Sequence, residues 1–294
     1  MYNMTFLDLV KSYKNYLKSS IDHLALYRKK YKNYVNVMYS VLRNQYPIIA
    51  NTRNRDNTTF HDYSDVYNSI QGLYSDPHED IVYVNGLKFY GGKKLLGIVG
   101  IFMRDGYKFL PVRDKVVVDI GASIADSSIY FASNGAKKVI ALEPDTRVFE
   151  LAKKNIMVNN FSDKIEIIQA GCVGINGEHY DGFKPDQCMT LTQIINKCEK
   201  SSPKILKLGC LGCEYDLLLN TPDEIIAEFS HIQVQYHYGH RNIKEKLEKC
   251  GFQVALSGPI YVKNPFESPR IFRSNKHTYL LNKMFCGSLY AKRN

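Results

Sequence analysis

Apolar residues recur at helical spacing at the start of the chain, between residues 4 and 43. A period of 3.6 residues is typical of amphipathic helices, so this segment predicts one long helix or two shorter ones. Pro47 and the polar stretch 51–59 come next. Their composition predicts a loop or a mobile linker.

Two alternating apolar segments then flank Asn85 and Gly86 within residues 81–90. Asn-Gly between such segments is a strong signal for a β-hairpin, because both residues tolerate the positive φ angles of a two-residue turn. Helical spacing resumes over 93–108 and predicts a helix that leads into the next part of the chain.

From residue 115 onward, short apolar segments alternate with segments of helical spacing. The predicted strands span 115–120, 138–143, 164–170, 204–208, 231–236, 252–256 and 284–291, and the predicted helices span 124–134, 146–159, 191–198, 214–220 and 242–250. The first strand has the apolar character of a strand buried on both faces of a parallel sheet. This alternation predicts a doubly wound α/β fold with right-handed crossovers.

The composition is that of a globular protein with a sizeable core, since 45% of the 294 residues are hydrophobic and 23% are charged. No stretch reaches the ~18 consecutive apolar residues of a membrane span. Residues 1–10 lack the pattern of a secretory signal, so we expect a cytoplasmic protein. We divide the chain into an N-terminal helical, basic appendage with a polar linker, 1–80, and a Rossmann-like domain with a leading hairpin, 81–294.

Most of the net charge of +10 lies in the N-terminal part of the chain. Residues 1–60 contain ten Lys or Arg and three Asp, which contribute +7. Such a segment could bind nucleic acid, anionic lipid or an acidic partner. The solvent-exposed face of an ordinary helix has the same composition, and we favour this interpretation.

The cysteines are odd in number and irregularly spaced, and without a secretory signal they predict reduced intracellular thiols. The seven are Cys172, Cys188, Cys198, Cys210, Cys213, Cys250 and Cys286. Cys210 and Cys213 form a C-x-x-C, but a zinc site would need a second pair, so we predict no metal. We favour the interpretation that they are two small, half-buried residues. The alternative is a redox pair at the start of a helix.

The loop after the first predicted strand has the features of a ligand site. It spans Asp119-Ile-Gly-Ala-Ser-Ile-Ala-Asp126. Gly121 permits a tight turn, and the following helix offers free N–H groups at its N-terminus. Glu143 ends the next strand, 24 residues after Asp119. In an open parallel sheet ligands bind beyond such strand ends, where a carboxylate can accept both ribose hydroxyls of an adenosine.

The same loop departs from the dinucleotide-binding pattern. It lacks the second and third glycines of G-x-G-x-x-G that let a pyrophosphate approach the backbone. A cofactor that contains adenosine but no phosphate fits better, and S-adenosylmethionine is such a cofactor. Its ammonium group could be bound by Asp119 or Asp126. The alternative is that Asp126 is an ordinary residue of a helix N-terminus and Glu143 a surface carboxylate.

Two segments resemble those of a known family, the FkbM-type methyltransferases, in an archaeal-looking version. They are Asp119-Ile-Gly-Ala-Ser-Ile-Ala-Asp-Ser-Ser-Ile-Tyr-Phe-Ala132 and Gly135-Ala-Lys-Lys-Val-Ile-Ala-Leu-Glu-Pro-Asp145. The region of resemblance covers roughly residues 81–293, which is the length of a domain. Residues 1–80 lie outside it.

The resemblance implies a class I methyltransferase fold, with a mostly parallel Rossmann-like sheet whose last strand is antiparallel. It also implies S-adenosylmethionine as cofactor and methyl transfer, often to a hydroxyl, here of a small molecule or glycan. By the same resemblance the cofactor is bound by Asp119, Gly121, Ala122, Ser123, Asp126 and Glu143, and the adenine is flanked by Gly171 and Cys172.

The chain departs from the family pattern D-x-E-G-x-E after the fourth strand. Gly209 and Leu211 stand where the first two acids would be, and Glu214 retains the third. Gln235 replaces an acid at the end of the fifth strand, and Ala125 replaces a glycine in the first loop. Because a neutral group does not reproduce a charged acceptor, these losses predict lower affinity or rate.

His237 is the first candidate for a general base, because it follows the fifth strand and imidazole titrates near neutral pH. Glu214 is the second candidate, and Tyr215 and His240 are held in reserve. His237 could instead be a histidine with ordinary structural partners. Glu214 could be a carboxylate at a helix N-terminus.

Three functions are compatible with these residues. The first is a methyltransferase that uses S-adenosylmethionine and acts on a hydroxyl of a small molecule or glycan. The second is a degenerate methyltransferase fold with a cofactor-binding, structural or interaction role, supported by the lost acids. A nucleic-acid methyltransferase ranks third, because only the basic N-terminal segment favours it and no [N/D]-P-P-[Y/F]-like motif follows the fourth strand. Nothing in the sequence indicates the oligomeric state.

Overall fold

The structure is a computed structural model. It describes residues 21–22, 24–53, 57–76, 79–93, 97–174, 187–199, 201–210, 212–237, 239–257, 270–273, 278–281 and 287–293. The chain divides into two compact units whose boundary in the sequence lies between Gly106 and Tyr107. We call their described parts the N-terminal unit, 21–106, and the sheet unit, 107–293. The division into domains at residue 80 stays a prediction.

The N-terminal unit begins with two helical segments and a strand pair. After helical residues 24–30 come α1 (Tyr34–Leu42), β1 (Ile48–Ala50), β2 (Thr58–Phe60) and α2 (Tyr63–Gln71). β1 and β2 are antiparallel, with Ile48 opposite Phe60. Both of these side chains are buried in one core with Tyr31 and Val37.

Within the described residues the first apolar segment forms two shorter helices, one of the two predicted arrangements, while 4–20 and 23 lie outside the described residues. The loop predicted at 51–59 is wrong at its end, because Thr58 and Thr59 belong to β2. β-branched residues favour an extended backbone, and β2 also buries Phe60 against the core.

A three-stranded antiparallel sheet completes the N-terminal unit. Its strands are β3 (Tyr74–Ser75), β4 (Ile81–Val84) and β5 (Leu87–Tyr90). Asn85 and Gly86 join β4 to β5 with φ angles of 50° and 79°, which confirms the predicted hairpin. Of the helix predicted at 93–108 the structure forms only residues 97–103, which include the π-helix Val99–Met103, while 94–96 lie outside the described residues. The prediction is wrong for 104–108, which form a bend and turns.

The sheet unit contains the predicted alternation of strands and helices. The strands are β6 (Val116–Ile120), β7 (Lys138–Leu142), β8 (Ile165–Ile168), β9 (Gly171–Val173), β10 (Cys188–Thr190), β11 (Lys204–Leu208), β12 (Phe229–Tyr236), β13 (Gln253–Leu256), β14 (Arg270–Arg273), β15 (Thr278–Leu281) and β16 (Gly287–Lys292). The helices are α3 (Asp126–Ser133), α4 (Thr146–Val158), α5 (Leu191–Ile195), α6 (Cys213–Asn220), α7 (Asp223–Ile226) and α8 (Arg241–Lys249).

Seven strands form one sheet in the order β13-β16-β12-β11-β6-β7-β8. Neighbours from β12 to β8 are parallel, whereas β16 is antiparallel to both β12 and β13. The chain builds outward from β6 in both directions, first through β7 and β8 and then through β11 and β12. This is a doubly wound, Rossmann-like sheet whose last strand is antiparallel, so the predicted fold class is confirmed.

Local signals set several element ends. Asp145 accepts hydrogen bonds from the backbone N–H groups of Arg147 and Val148, at 2.9 and 3.0 Å, and thereby caps the N-terminus of α4. Gly251, the second residue after α8, has a φ of 85°, the left-handed conformation with which glycine commonly ends a helix. None of the helices in the described ranges is long and apolar enough to cross a lipid bilayer.

Candidate functional site

The candidate site lies at the switch point of the sheet, where β6 is flanked by β7 and β11. In register, Asp119 on β6 lies opposite Ala141 on β7 and Lys207 on β11. The candidate residues form two groups. The loop group contains the Asp119–Asp126 loop and Glu143, and the histidine group contains Glu214 and His237.

A buried ion pair joins the two central strands of the site. Lys207 Nζ lies 2.9 Å from Asp119 Oδ1, and the side chains of both residues are almost fully buried. The same ammonium donates a hydrogen bond to the Gly121 carbonyl at 2.8 Å. Burial is the largest single influence and lowers the pKa of Lys207, but the attraction and hydrogen bond of Asp119 together with Tyr107 and Asp126 outweigh it, so the pKa is raised overall. The lysine is therefore a permanent cation beneath the loop.

The second carboxylate oxygen of Asp119 holds the start of α3. Asp119 Oδ2 accepts hydrogen bonds from the hydroxyls of Ser127 and Ser128, both at 2.6 Å. Both oxygens of this carboxylate thus have partners within the protein. The contacts give Asp119 a positioning role for the loop, and its direct contact with a cofactor stays a prediction.

The glycine loop directs several of its own N–H groups inward. Gly121 and Ala122 both donate to the Leu142 carbonyl, at 3.1 and 2.9 Å, and Ala125 donates to the Ala122 carbonyl at 2.8 Å. Gly121 has a φ of 76°, and a Cβ atom there would overlap the Gly209 carbonyl. Only glycine fits at this position, because both the backbone conformation and the contact exclude a side chain.

Glu143 accepts two backbone hydrogen bonds at the end of β7. Its Oε2 accepts from the Ser123 N–H at 2.9 Å, and its Oε1 accepts from the Asp145 N–H at 3.0 Å. Burial raises the pKa of this carboxyl group, although both N–H groups oppose the increase. Each carboxylate oxygen has two acceptor positions. The geometry therefore allows Glu143 to accept two ribose hydroxyls in addition to its backbone donors.

Asp126, like Glu143, is a buried acid of the loop group for which the described residues show no ion pair. It begins α3, is 7% exposed, and accepts a hydrogen bond from the Ser127 N–H at 3.0 Å. Burial raises its pKa from 3.8 to about 6, and the more distant Lys207 opposes this only in part. Such a carboxylate is poised to receive a proton or a bound cation.

Gly171 and Cys172 lie in β9, which pairs in parallel with β10. The Gly171 N–H donates to the Gln187 carbonyl at 3.0 Å. Burial raises the pKa of the Cys172 thiol well above its usual range, so this cysteine is a packed apolar group. Their predicted contact with adenine stays a prediction.

The structure brings Glu214 and His237 together. His237 Nδ1 lies 2.8 Å from Glu214 Oε1, although the residues belong to α6 and to the end of β12. The Gly212 N–H donates to the other carboxylate oxygen at 2.8 Å, and the Glu214 side chain is fully buried. A carboxylate at Nδ1 selects the tautomer whose Nε2 carries the lone pair.

The reserve candidates have structural contacts. The Tyr215 hydroxyl donates to the Gly239 carbonyl at 2.6 Å, and the His240 ring packs edge-on against Tyr236. Gly209 and Gln235, two of the positions that lost acids, lie close together: a Cβ at Gly209 would be 3.4 Å from Lys207 Nζ and 3.5 Å from Gln235 Oε1. Leu211 lies outside the described residues.

The sequence pattern did not predict the role of Lys207 or of the two serines. One signal was present, because a lysine inside the apolar strand Lys204–Leu208 is almost never buried without a partner. The strand pattern alone did not identify Asp119 as that partner.

The prediction that all cysteines are reduced is wrong for one pair, because Cys210 and Cys213 form a disulfide. The turn into α6 brings their Cα atoms to 5.5 Å, within the range that a disulfide spans. Cys172, Cys188, Cys198 and Cys250 are not disulfide-bonded, and Cys286 lies outside the described residues. Throughout the described ranges, no three His, Cys, Asp or Glu side chains are grouped as metal ligands would be.

Known proteins resemble parts of this chain, although no family model matches it. Protein arginine N-methyltransferase 1 of Saccharomyces cerevisiae is 37% identical over 57 residues, 19% of this chain and 16% of that protein. Ribosomal protein L11 methyltransferase of Carboxydothermus hydrogenoformans is 40% identical over 55 residues, 19% of this chain and 18% of that protein. The chain thus spans less than one fifth of the length of these two curated relatives.

A solved structure with a related outline is TYW2 of M. jannaschii in complex with AdoMet. It is 17% identical, covers 76% of this chain and 90% of its own, and has a TM-score of 0.45. The two curated relatives are methyltransferases whose names give different acceptors, an arginine of proteins and a ribosomal protein. The similarities therefore select no acceptor class.

The raised pKa of Asp126 predicts how pH affects stability in the absence of ligand. The folded-state pKa of about 6 exceeds the ordinary 3.8, so folding favours the protonated form. The stability that the folded state gains from holding this proton is complete below pH 3.8 and is lost as pH rises through 6. Asp126→Asn removes the charge, so its free energy of unfolding should exceed that of the wild type by roughly 1–3 kcal/mol at pH 8 and by almost nothing near pH 4.

Urea unfolding at both pH values measures this difference. Asp163→Asn is the matched control, since Asp163 is exposed. An equal gain at the two pH values would show that the effect of Asp126→Asn is not electrostatic.

Proposed function

We propose that this chain is a methyltransferase of the FkbM type that uses S-adenosylmethionine and acts on a hydroxyl of a small molecule or glycan. The observation that carries the proposal is the loop after β6. Its Gly121 and Ala122 N–H groups donate inward to Leu142, whereas a phosphate-binding loop directs such groups at its ligand. The lysine at this loop, Lys207, is paired with Asp119, and the acids Asp126 and Glu143 lie at the loop as well.

The acids of the loop group match a cationic, phosphate-free adenosine cofactor. We assign the ribose hydroxyls to Glu143, whose carboxylate faces the loop through the Ser123 N–H. We assign the ammonium group to Asp126, because Asp119 already has Lys207 as its cation. A bound ammonium group would supply the counter-charge that Asp126 lacks and so favour its ionised form.

The histidine group supplies the residues for proton removal. When bound, S-adenosylmethionine supplies an electrophilic methyl group on a sulfonium sulfur. His237 Nε2 would accept the proton of the acceptor hydroxyl as its oxygen bonds to the methyl carbon. Glu214 holds the imidazole by Nδ1 and would stabilise the imidazolium that forms. Positioning contributes most to such an in-line displacement.

The lost acids support a second candidate, a degenerate protein that binds the cofactor without turnover. Neutral residues at Gly209 and Gln235 stand next to the cationic Lys207. These two positions therefore supply no negative charge where the family has carboxylates, and Glu214 alone retains one. Cofactor binding is common to both candidates, and methyl transfer separates them.

Cofactor binding is tested first, by calorimetric titration with S-adenosylmethionine and S-adenosylhomocysteine. Glu143→Gln should weaken binding by roughly 10- to 100-fold, because hydrogen bonds to a charged acceptor are replaced by weaker ones. Glu150→Gln, an exposed change on α4, is the matched control and should leave the affinity unchanged. Absence of heat and of a thermal shift at millimolar ligand would refute the proposed cofactor.

Turnover is tested by the formation of S-adenosylhomocysteine with a panel of monosaccharide and phenol acceptors. His237→Gln should lower the rate by about 10²- to 10⁴-fold, the usual contribution of a general base, without changing the affinity for S-adenosylmethionine. His231→Gln on β12 is the control, and its rate should match the wild type. An unchanged rate in His237→Gln would remove His237 from the mechanism, and no turnover by the wild type would favour the degenerate alternative.

A further inference from the structure

The disulfide between Cys210 and Cys213 lies at the candidate site. It spans the turn between β11 and α6, where the family pattern has acids. Both cysteines are half-buried, so a small thiol can reach them. Cys213 is the first residue of α6, where the N–H groups of the helix favour a thiolate.

Direct contacts connect this disulfide to the histidine group. Cys210 Sγ lies 3.5 Å from Glu214 Oε2. The same oxygen accepts the Gly212 N–H, which lies inside the disulfide ring, at 2.8 Å. The other oxygen of Glu214 contacts His237 Nδ1 at 2.8 Å. A change at the disulfide is therefore transmitted to the imidazole through a single carboxylate.

The same turn also borders the loop group. The Gly209 N–H donates to the Ile120 carbonyl at 3.0 Å, and the Gly209 carbonyl closes the space above Gly121. The backbone that the disulfide constrains thus packs against the glycine loop as well as against Glu214.

The cysteines that are not disulfide-bonded differ from this pair. Cys172, Cys198 and Cys250 are buried, and burial raises the pKa of each thiol, in Cys198 to about 11. Cys188 is half-buried, and burial raises the pKa of its thiol too. At neutral pH these groups stay protonated and react slowly, because the thiolate is the reactive form.

We propose that Cys210 and Cys213 are a reversible thiol–disulfide site that controls the orientation of Glu214 and His237. The catalytic consequence rests on the proposed function, whereas the redox chemistry does not. The partner is a small-molecule thiol–disulfide couple of the glutathione type. One of its thiolates attacks a sulfur of the disulfide, the chain's S–S bond breaks, and a mixed disulfide forms.

A second small thiol then attacks the mixed disulfide, and the two small molecules leave joined to each other as the oxidised form of the couple. Two electrons and two protons pass to the chain, which ends with two thiols. In that form the Cys210 thiol is within reach to donate to Glu214 Oε2, and the turn that carries Gly212 loses its covalent constraint. Glu214 therefore has different hydrogen-bond donors in the two forms, and His237 is held differently.

The test uses the full chain in buffers of reduced and oxidised glutathione. Alkylation followed by mass spectrometry should show Cys210 and Cys213 losing reactivity together in the oxidising buffer and regaining it in the reducing one. Over the same range the imidazole 15N resonances of His237, assigned with His237→Gln, should shift and return. In Cys210→Ser/Cys213→Ser the His237 resonances should not respond to the buffer.

Cys188→Ser is the matched control, because it removes a half-buried thiol that is not disulfide-bonded and should preserve both responses. Independent alkylation of the two cysteines, or a disulfide that forms while the His237 resonances stay fixed, would overturn the proposal. Binding of S-adenosylmethionine is measured on the same samples. Its absence would refute the cofactor proposal and leave the redox result standing, so the two failures are distinguishable.

Discussion

The ion pair between Asp119 and Lys207 is the interaction on which the site depends. It joins β6 to β11 at the switch point, inside the protein, where an unpaired charge is costly. Removing one partner of such a buried pair typically costs about 3–5 kcal/mol. The carboxylate also holds the two serines at the start of α3, and the ammonium holds the Gly121 carbonyl. Loop, helix and central strands are therefore fixed by one pair of charges.

This pair also separates the roles of the neighbouring acids. Because Lys207 neutralises Asp119, the negative charge that remains for a ligand is on Asp126 and Glu143. Asp126 forms no ion pair with a described side chain, and Glu143 accepts hydrogen bonds from two backbone N–H groups. On the other side of the site, Glu214 has no lysine and is paired with His237. In the proposed function the loop group binds a cationic adenosine cofactor and the histidine group moves a proton. In the redox proposal the nearby disulfide controls the orientation of the histidine group.

Much of this architecture could be predicted from the sequence, because periodicity and turn residues act locally. The alternation after residue 115, the Asn85-Gly86 hairpin and the Gly251 cap are examples. The resemblance and the strand ends also identified Glu214 and His237, which the fold brings into contact. Contacts between segments that are distant in the sequence could not be predicted from local patterns. Lys207 contacts Asp119 only because β11 lies beside β6 in the sheet. The strand Thr58–Phe60 was missed because its polar threonines resemble a loop, and its burial against Tyr31 depends on tertiary contacts.

The proposed function assigns the cofactor's ammonium group to the charge of Asp126. The most direct measurement compares the affinities of S-adenosylhomocysteine and 5′-methylthioadenosine for the wild type and Asp126→Asn, because both are neutral thioethers of adenosine and only the first has the amino-acid portion. The wild type should prefer S-adenosylhomocysteine by roughly tenfold or more, the value of a charge-assisted hydrogen bond. Asp126→Asn should lose most of that preference while binding 5′-methylthioadenosine as before. An equal preference in both proteins would contradict the assignment of Asp126.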